Sequence, residues 1–290
     1  MNRRALIATA ALLPLPALSL SALAQTRDPQ RLRVALLPDE NASTIIQNAQ
    51  PLRAHLERTL SRQVEIVVTT DYSSMIEAMR FGRIEIAYFG PFSYVLAKSR
   101  APLIEPFAVG IERGSPTYRS VVVAGADSPV KALADVRGRP FAFGDQASTS
   151  SHLIPRAMLV RAGLKGGDDY RVVHLGTHDA VARAVQNAQV PAGALSKSIL
   201  DTLYTRNMVD RARLTEIALS DPIPNYPMVM QGNLADPLKA AIRAAFLELT
   251  DAAVLRSFRV EGFAATDDAA YNILRETAQL LELNLGAMRG

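Results

Sequence analysis

Four hydroxyl residues in a row, Ser148, Thr149, Ser150 and Ser151, stand in the stretch FAFGDQASTSSHLIP, residues 141–155. Ahead of them an apolar run, Phe141 to Phe143, reads as a buried strand with a Gly-Asp turn; behind them the pattern reads as a helix. The first amides of a helix have no intrahelical partner, and its dipole favours negative charge there. Hydroxyls at that point add donors that fit tetrahedral oxygens, so Ser148, Thr149 and Ser150 predict an oxyanion socket. Plain capping is the competing reading: one serine as N-cap, the others solvated.

Three more strand-to-helix junctions share this character. GTHDAV (176–181) offers Thr177 as N-cap with His178 and Asp179 in the first turn. FGPFSY (89–94) has a tight Gly90-Pro91 turn with free amides, and TTDYSS (69–74) begins another helix. Ligands of open α/β sheets sit at the carboxyl ends of strands, so the four junctions are expected to face one cleft.

The elements that must hold them alternate. Strands are expected at 31–38, 64–70 and 84–90, and helices at 43–60 (broken at Pro51), 72–82 and 91–99. The rhythm restarts at 118–125 and continues to a strand at 192–196. ALSDPIPNYPMVM (218–230), with three prolines in six residues, suits an extended crossover, and helices are expected at 236–250 and 267–283. This is an α/β chain of two lobes, each a mostly parallel sheet flanked by helices. The expected division is 30–119 with 225–290 as lobe 1 and 120–224 as lobe 2, joined by a two-strand hinge.

Composition narrows the function. The chain has 290 residues, 49% hydrophobic and 21% charged, as in ordinary globular proteins. Residues 1–24 carry Arg3 and Arg4, an apolar middle and Ala22-Leu23-Ala24, the three parts of a secretory signal, with cleavage expected after Ala24. Pro14 and Pro16 disfavour a spanning helix, and no second long apolar run follows, so no mature membrane span is expected. Removing the signal takes two arginines and no acid, lowering the net charge from +4 to +2. That balance, without basic runs interleaved with aromatics, argues against nucleic acid. There is no cysteine, and the four histidines (55, 152, 174, 178) are scattered, so neither a metal site nor a cofactor is expected. A hydrolase reading would take Ser148 or Ser150 as nucleophile, His152 as base and Asp145 as its orienter. Three such members within eight residues of one turn do not converge as a triad requires, and no G-x-S-x-G elbow is present.

The chain resembles the periplasmic phosphate, phosphite and phosphonate receptors of ABC transporters from about residue 30 to 285. The resemblance rests on VALLPDEN, QPLRAHLE, TTDYSSMIEAMRFGRIEIAYFGPFSYVLA, YRSVVV, FAFGDQASTSSHLIPRAMLVRAG and HDAVARAVQN, in that order. It implies a two-lobed, type II-like binding protein of the periplasm that captures a small phosphorus oxyanion and delivers it to a permease. It further implies that Ser148, Thr149 and Ser150 hold the ligand oxygens, that Tyr72, Tyr88 and Phe89 line the first lobe, and that Asp179 faces a ligand amine where one exists. Tyr118 and His178 are further cleft candidates. Two departures from the family pattern matter: PAGALSKS lacks an acid, and IPNYP places Tyr226 where an acid commonly stands. A ligand ammonium would lose a charge-assisted bond at each, about 1.5–3 kcal/mol, so an amine-free anion is expected. The alternatives are a receptor that signals to a partner and a carboxylate receptor built on Arg119.

Overall fold

The computed structural model describes residues 26–288; the expected signal segment lies outside the described residues. Thirteen strands are present among the described residues: β1 Arg31–Leu36, β2 Gln63–Val68, β3 Ile86–Tyr88, β4 Glu105–Ile111, β5 Thr117–Tyr118, β6 Ser120–Gly125, β7 Pro140–Phe143, β8 Arg171–His174, β9 Ala192–Ser196, β10 Leu214–Leu219, β11 Ile223–Pro224, β12 Pro227–Met230 and β13 Gly262–Ala265. They form a six-stranded sheet ordered β13-β4-β12-β3-β1-β2, a five-stranded sheet ordered β10-β6-β9-β7-β8, and a two-stranded ladder β11-β5. The chain passes from the first sheet to the second through β5 and returns through β11, and Tyr118 pairs with Ile223 in that ladder. Two short antiparallel strands between two sheets make a bending point.

The sheets are mixed, not mostly parallel. β1 is parallel to both neighbours, β2 and β3, and β7 to β8 and β9. Three strands run reversed: β6 against β9 and β10, β12 against β3 and β4, and β13 against β4, the first two being those that arrive through the crossovers. A chain arriving from the other lobe enters its sheet from the opposite end, so it is inserted reversed.

Local chemistry explains the helices at the seam. The helix expected at 43–60 divides into Ala42–Asn48 and Gln50–Leu60, with Pro51 in the first turn of the second piece, where its missing N–H costs nothing. The helix after the hydroxyl run does not start as an α-helix. Thr149–Leu153 forms a π turn, with the Leu153 amide donating to the Ser148 carbonyl at 3.0 Å, before Ile154–Arg161 becomes α-helical. Pro155 supplies the reason: it has no N–H for the Ser151 carbonyl four residues back. The Gly144 amide bonds that carbonyl instead, at 3.0 Å, and also the Ser151 hydroxyl at 2.8 Å. A Cβ on Gly144 would lie 2.8 Å from the Ser151 oxygen, which is why this turn takes glycine.

Two apolar clusters cover the faces of the second sheet, and a larger one fills the first lobe. Ala147, Leu153 and Ala157, carried by the second lobe, belong to the first lobe's cluster. The lobes therefore meet in a closed arrangement with apolar contact beside the socket.

Candidate functional site

The four hydroxyls divide their work. Ser148 is the N-cap, its oxygen accepting from the Ser151 amide at 3.2 Å. Ser151 is structural, donating to the Ala194 carbonyl of β9. Thr149 reaches across the seam: its Oγ1 accepts from the Phe92 amide at 2.8 Å, in the first turn of the first-lobe helix Pro91–Arg100. Ser150 is fully buried and its Oγ has no partner, while its carbonyl is fixed by the Ser120 hydroxyl at 2.5 Å. Capping by Ser148 and a buried, unpartnered hydroxyl on Ser150 thus occur side by side, on different residues.

Two imidazoles brace the turn beneath. His152 donates from Nδ1 to the Gln146 carbonyl at 2.6 Å and His174 from Nδ1 to the Gly144 carbonyl at 2.9 Å, with the rings edge to face at 5.2 Å. Asp145 accepts from the Ala147 amide at 2.7 Å. The His152–Asp145 relay considered from the sequence is not what these bonds describe; both residues shape the loop.

On the first-lobe side, Tyr72 opens the helix Tyr72–Arg80, capped by Asp71 through the Ser74 amide at 2.7 Å. Its hydroxyl is buried and faces Ser148 without forming a well-aligned hydrogen bond; that of Tyr118 faces Ser150 and Thr149 in the same way. Tyr88 stacks on Tyr226 at 5.3 Å, and Tyr118 meets the edge of Tyr226 at 5.3 Å. Tyr226 therefore stands in the cleft wall. Phe89, which the resemblance placed on the first-lobe side of the site, is wholly buried in the first-lobe core.

His178 is placed to donate. Its Nδ1 accepts from the Ser196 amide at 3.0 Å, which puts the ring proton on Nε2, and Nε2 is buried without a partner. Its own amide donates to the Asp39 carbonyl across the seam at 3.0 Å. Asp179 accepts from the Thr177 hydroxyl at 2.6 Å and lies 3.7 Å from Arg183, so its carboxylate is engaged along its own helix. Arg119, the candidate carboxylate clamp, donates to the Ser220 carbonyl at the return crossover. A groove of about 580 Å³ behind the ladder is lined by Val109, Pro116, Thr117, Pro224 and Tyr271, but none of these carries an unpartnered buried donor. The seam is where such donors gather.

Residues 34–271 match the family model described as ABC transporter, phosphonate, periplasmic substrate-binding protein. The chain belongs to that family. It is 30% identical to the phosphate-import protein PhnD of Mycolicibacterium smegmatis, over 86% of this chain and 82% of that one. It is 29% identical to the phosphonates-binding periplasmic protein of Escherichia coli, over 87% and 77%. A phosphonate-transporter binding component from Pseudomonas aeruginosa superposes with a TM-score of 0.81 at 25% identity, over 88% and 87%.

The receptor's structure also brings in residues that sequence reasoning passed over. Asp39 and Glu40 follow β1, and both are buried. Arg259, at the C-terminal end of the helix Ala252–Phe258, pairs with Asp39 at 3.1 Å and with Glu40 at 2.7 Å. LPDEN carried the acids in plain sight, but only as a loop; nothing near Arg259 in sequence pointed to them.

Burial sets the protonation states. His152 and His178 are both pushed down to about 3 from 6.5, chiefly by desolvation, so both are neutral at physiological pH. Below pH 6.5 the unfolded chain takes up these two protons and the native receptor does not, so stability falls with falling pH. Asp39 opposes this: burial raises it to about 6 from 3.8, so the native state binds its proton first and gains between those values. Urea denaturation across pH is expected to show a loss of about 1.4 kcal/mol per pH unit for each uncompensated proton, mild from pH about 6 to 4 and steeper below. Glu85, held low against its burial by Arg33 and Arg27, and Asp268, held low against its burial by the Tyr94 hydroxyl and Arg275, add to that lower limb. A flat profile from pH 6.5 downward would contradict the neutral imidazoles.

Proposed function

We propose that the receptor captures a small, amine-free phosphorus oxyanion, of the phosphite, phosphate or methylphosphonate kind, between its lobes and delivers it to an ABC-transporter permease. The observation that carries this is the set of buried polar atoms without partners at the seam: Tyr72 Oη, Tyr118 Oη, Ser150 Oγ and His178 Nε2. Leaving such groups unpaired costs about 1–3 kcal/mol each. A tetrahedral oxyanion would satisfy them, and all are neutral donors in their present states. Pre-organised neutral dipoles hold an anion without burying a free cation against it. Arg259 is not that cation, because two carboxylates already occupy it. The reading without an amine is supported by Asp179, turned to Thr177 and Arg183, and by Tyr226 in the wall.

The lobe division at the ladder, 30–119 with 225–290 against 120–224, is part of this proposal, as is export with cleavage after Ala24; an N-terminus at Gln25 in mass spectra of the secreted protein would test the latter. Among the described residues no helix is long and apolar enough to cross a membrane.

The direct test is calorimetric titration of residues 25–290, unfolded and refolded to strip carried-over ligand, with phosphite, phosphate, methylphosphonate, 2-aminoethylphosphonate and a few carboxylates. The phosphorus anions without an amine are expected to bind, and Ser150→Ala to weaken them about tenfold to a hundredfold, the worth of one charge-assisted hydrogen bond. Binding of a carboxylate and of no phosphorus anion would sink the proposal.

A further inference from the structure

A buried carboxylate stands at the seam, beside the proposed socket for anions. Asp39 lies just past the carboxyl end of β1 and is 4% exposed. Its main-chain carbonyl accepts from the His178 amide of the other lobe at 3.0 Å, which fixes the residue at the seam. One carboxylate oxygen, Oδ2, meets Arg259 at 3.1 Å, and the group also faces its own main-chain amide and the Tyr226 hydroxyl. Burial raises the hydroxyls of Tyr72, Tyr88, Tyr118 and Tyr226, and the nearby Asp39 charge adds to the rise in all four. Those are the side chains that wall the socket, and two of them carry its unpartnered oxygens. The other ionic groups facing this corner are Glu40 and Arg259 of the first lobe, Glu112 acting on Tyr88 and Tyr118, and Asp145 acting on Tyr72; His178 is neutral.

A carboxylate beside an oxyanion repels it unless a proton lies between them. Singly protonated phosphite, phosphate and phosphonate supply that proton on a P–OH. The hydroxyl donates to the carboxylate in a short, charge-assisted bond, no covalent bond changes, and the complex holds one shared proton. Sulfate and sulfonates have the same tetrahedral oxygens and carry no proton near neutrality. A site built to bond a ligand hydroxyl strongly rejects the analogue that lacks it, because the site's own buried group is left facing a bare charge.

Resting on the reading of the seam as a phosphorus-oxyanion site, we infer that Asp39 is its specificity residue: it accepts a hydrogen bond from the ligand's P–OH and turns away oxyanions of sulfur.

The test compares methylphosphonate with methanesulfonate, which differ in this proton, on the wild-type chain and on Asp39→Asn. The amide offers a donor in place of the acceptor, and the Glu40–Arg259 pair and the backbone bond from His178 do not depend on the lost charge. The wild type is expected to prefer methylphosphonate strongly, and Asp39→Asn to reduce that preference about a hundredfold, through both weaker methylphosphonate and stronger methanesulfonate binding. Ser150→Ala should weaken methylphosphonate without a comparable change in the preference. An unchanged preference in folded Asp39→Asn, with Ser150→Ala still impaired, overturns the role of Asp39 alone. Loss of 2-aminoethylphosphonate binding with methylphosphonate untouched also overturns it, since Asp39 would then serve an amine. No phosphorus anion binding to the wild type overturns the parent reading as well. A measurement independent of any variant is calorimetry of the wild type at about pH 8.5 in two buffers of different ionisation enthalpy, where about one proton should be taken up per methylphosphonate bound. Uptake of none overturns the inference.

Discussion

Thr149→Val is expected to weaken methylphosphonate binding by about a thousandfold. The swap keeps the shape and removes only the hydroxyl, so two losses follow from one atom. The Phe92 amide, buried at the start of its helix, loses its acceptor at 2.8 Å, and an unsatisfied buried donor costs about 1–3 kcal/mol. The same hydroxyl keeps its proton free while it accepts from Phe92, so it can donate to a ligand oxygen; a charge-assisted bond is worth about 1.5–3 kcal/mol. Both are realised only when the lobes are closed, so the loss should appear in the dissociation rate and in the closed population. Calorimetry reads the first consequence. Small-angle scattering of the variant at saturating ligand reads the second, as a larger radius of gyration than that of the liganded wild type. The control is Thr149→Ser, which keeps the hydroxyl and should stay within about tenfold. Equal affinity of Thr149→Val and wild type would show that the cross-lobe bond is not part of the bound state.

Much of this arrangement was legible because it is local. An apolar run, a turn and four hydroxyls before a helical pattern place a capped helix start on any reading of Ser148 to Ser151, and strand–helix alternation gave the α/β class and the two lobes. What was not legible depends on chain segments far apart. Strand direction leaves no mark on apolar periodicity, so β6 and β12 read as any buried strands, and their reversed insertion comes from the crossovers. Pro155 announces that a helix cannot begin normally, but Gly144 taking up the freed Ser151 carbonyl is a tertiary event. Strands β4 and β13 and the helices Lys197–Thr205 and Ala252–Phe258 lay between the segments that periodicity singled out. The partition of the hydroxyl run was likewise hidden: four similar side chains acquire different roles only because Phe92, Ala194 and Ser120 arrive from elsewhere. Asp39 and Glu40 look like a solvated loop pair until an arginine some 220 residues away is folded against them.

That arginine carries the largest expected effect on stability. Arg259→Leu should destabilise the receptor by about 3–5 kcal/mol at neutral pH, the cost of leaving buried charge uncompensated. Asp39 and Glu40 are 4% and 6% exposed, and each gives a carboxylate oxygen to the guanidinium. Without it, two like charges on adjacent residues face each other in a desolvated corner, so the Asp39 carboxyl, already raised by burial, is raised further. The sign of the pH response follows. Groups raised in the native state bind protons before the unfolded chain does, so the variant recovers stability as pH falls from its raised values towards the ordinary carboxylate range. The deficit relative to wild type should therefore be greatest near neutrality and shrink towards pH about 4. Arg259→Lys keeps the charge and loses the fork that spans both acids, and it should recover part of the deficit at neutral pH. Urea midpoints for the three proteins across pH decide the matter. Equal midpoints for Arg259→Leu and wild type at neutral pH would mean the acids find water or other donors, and that the seam is wetter than its burial indicates. A deficit that does not shrink in acid would trace the loss to packing of the arginine stem, not to the charges.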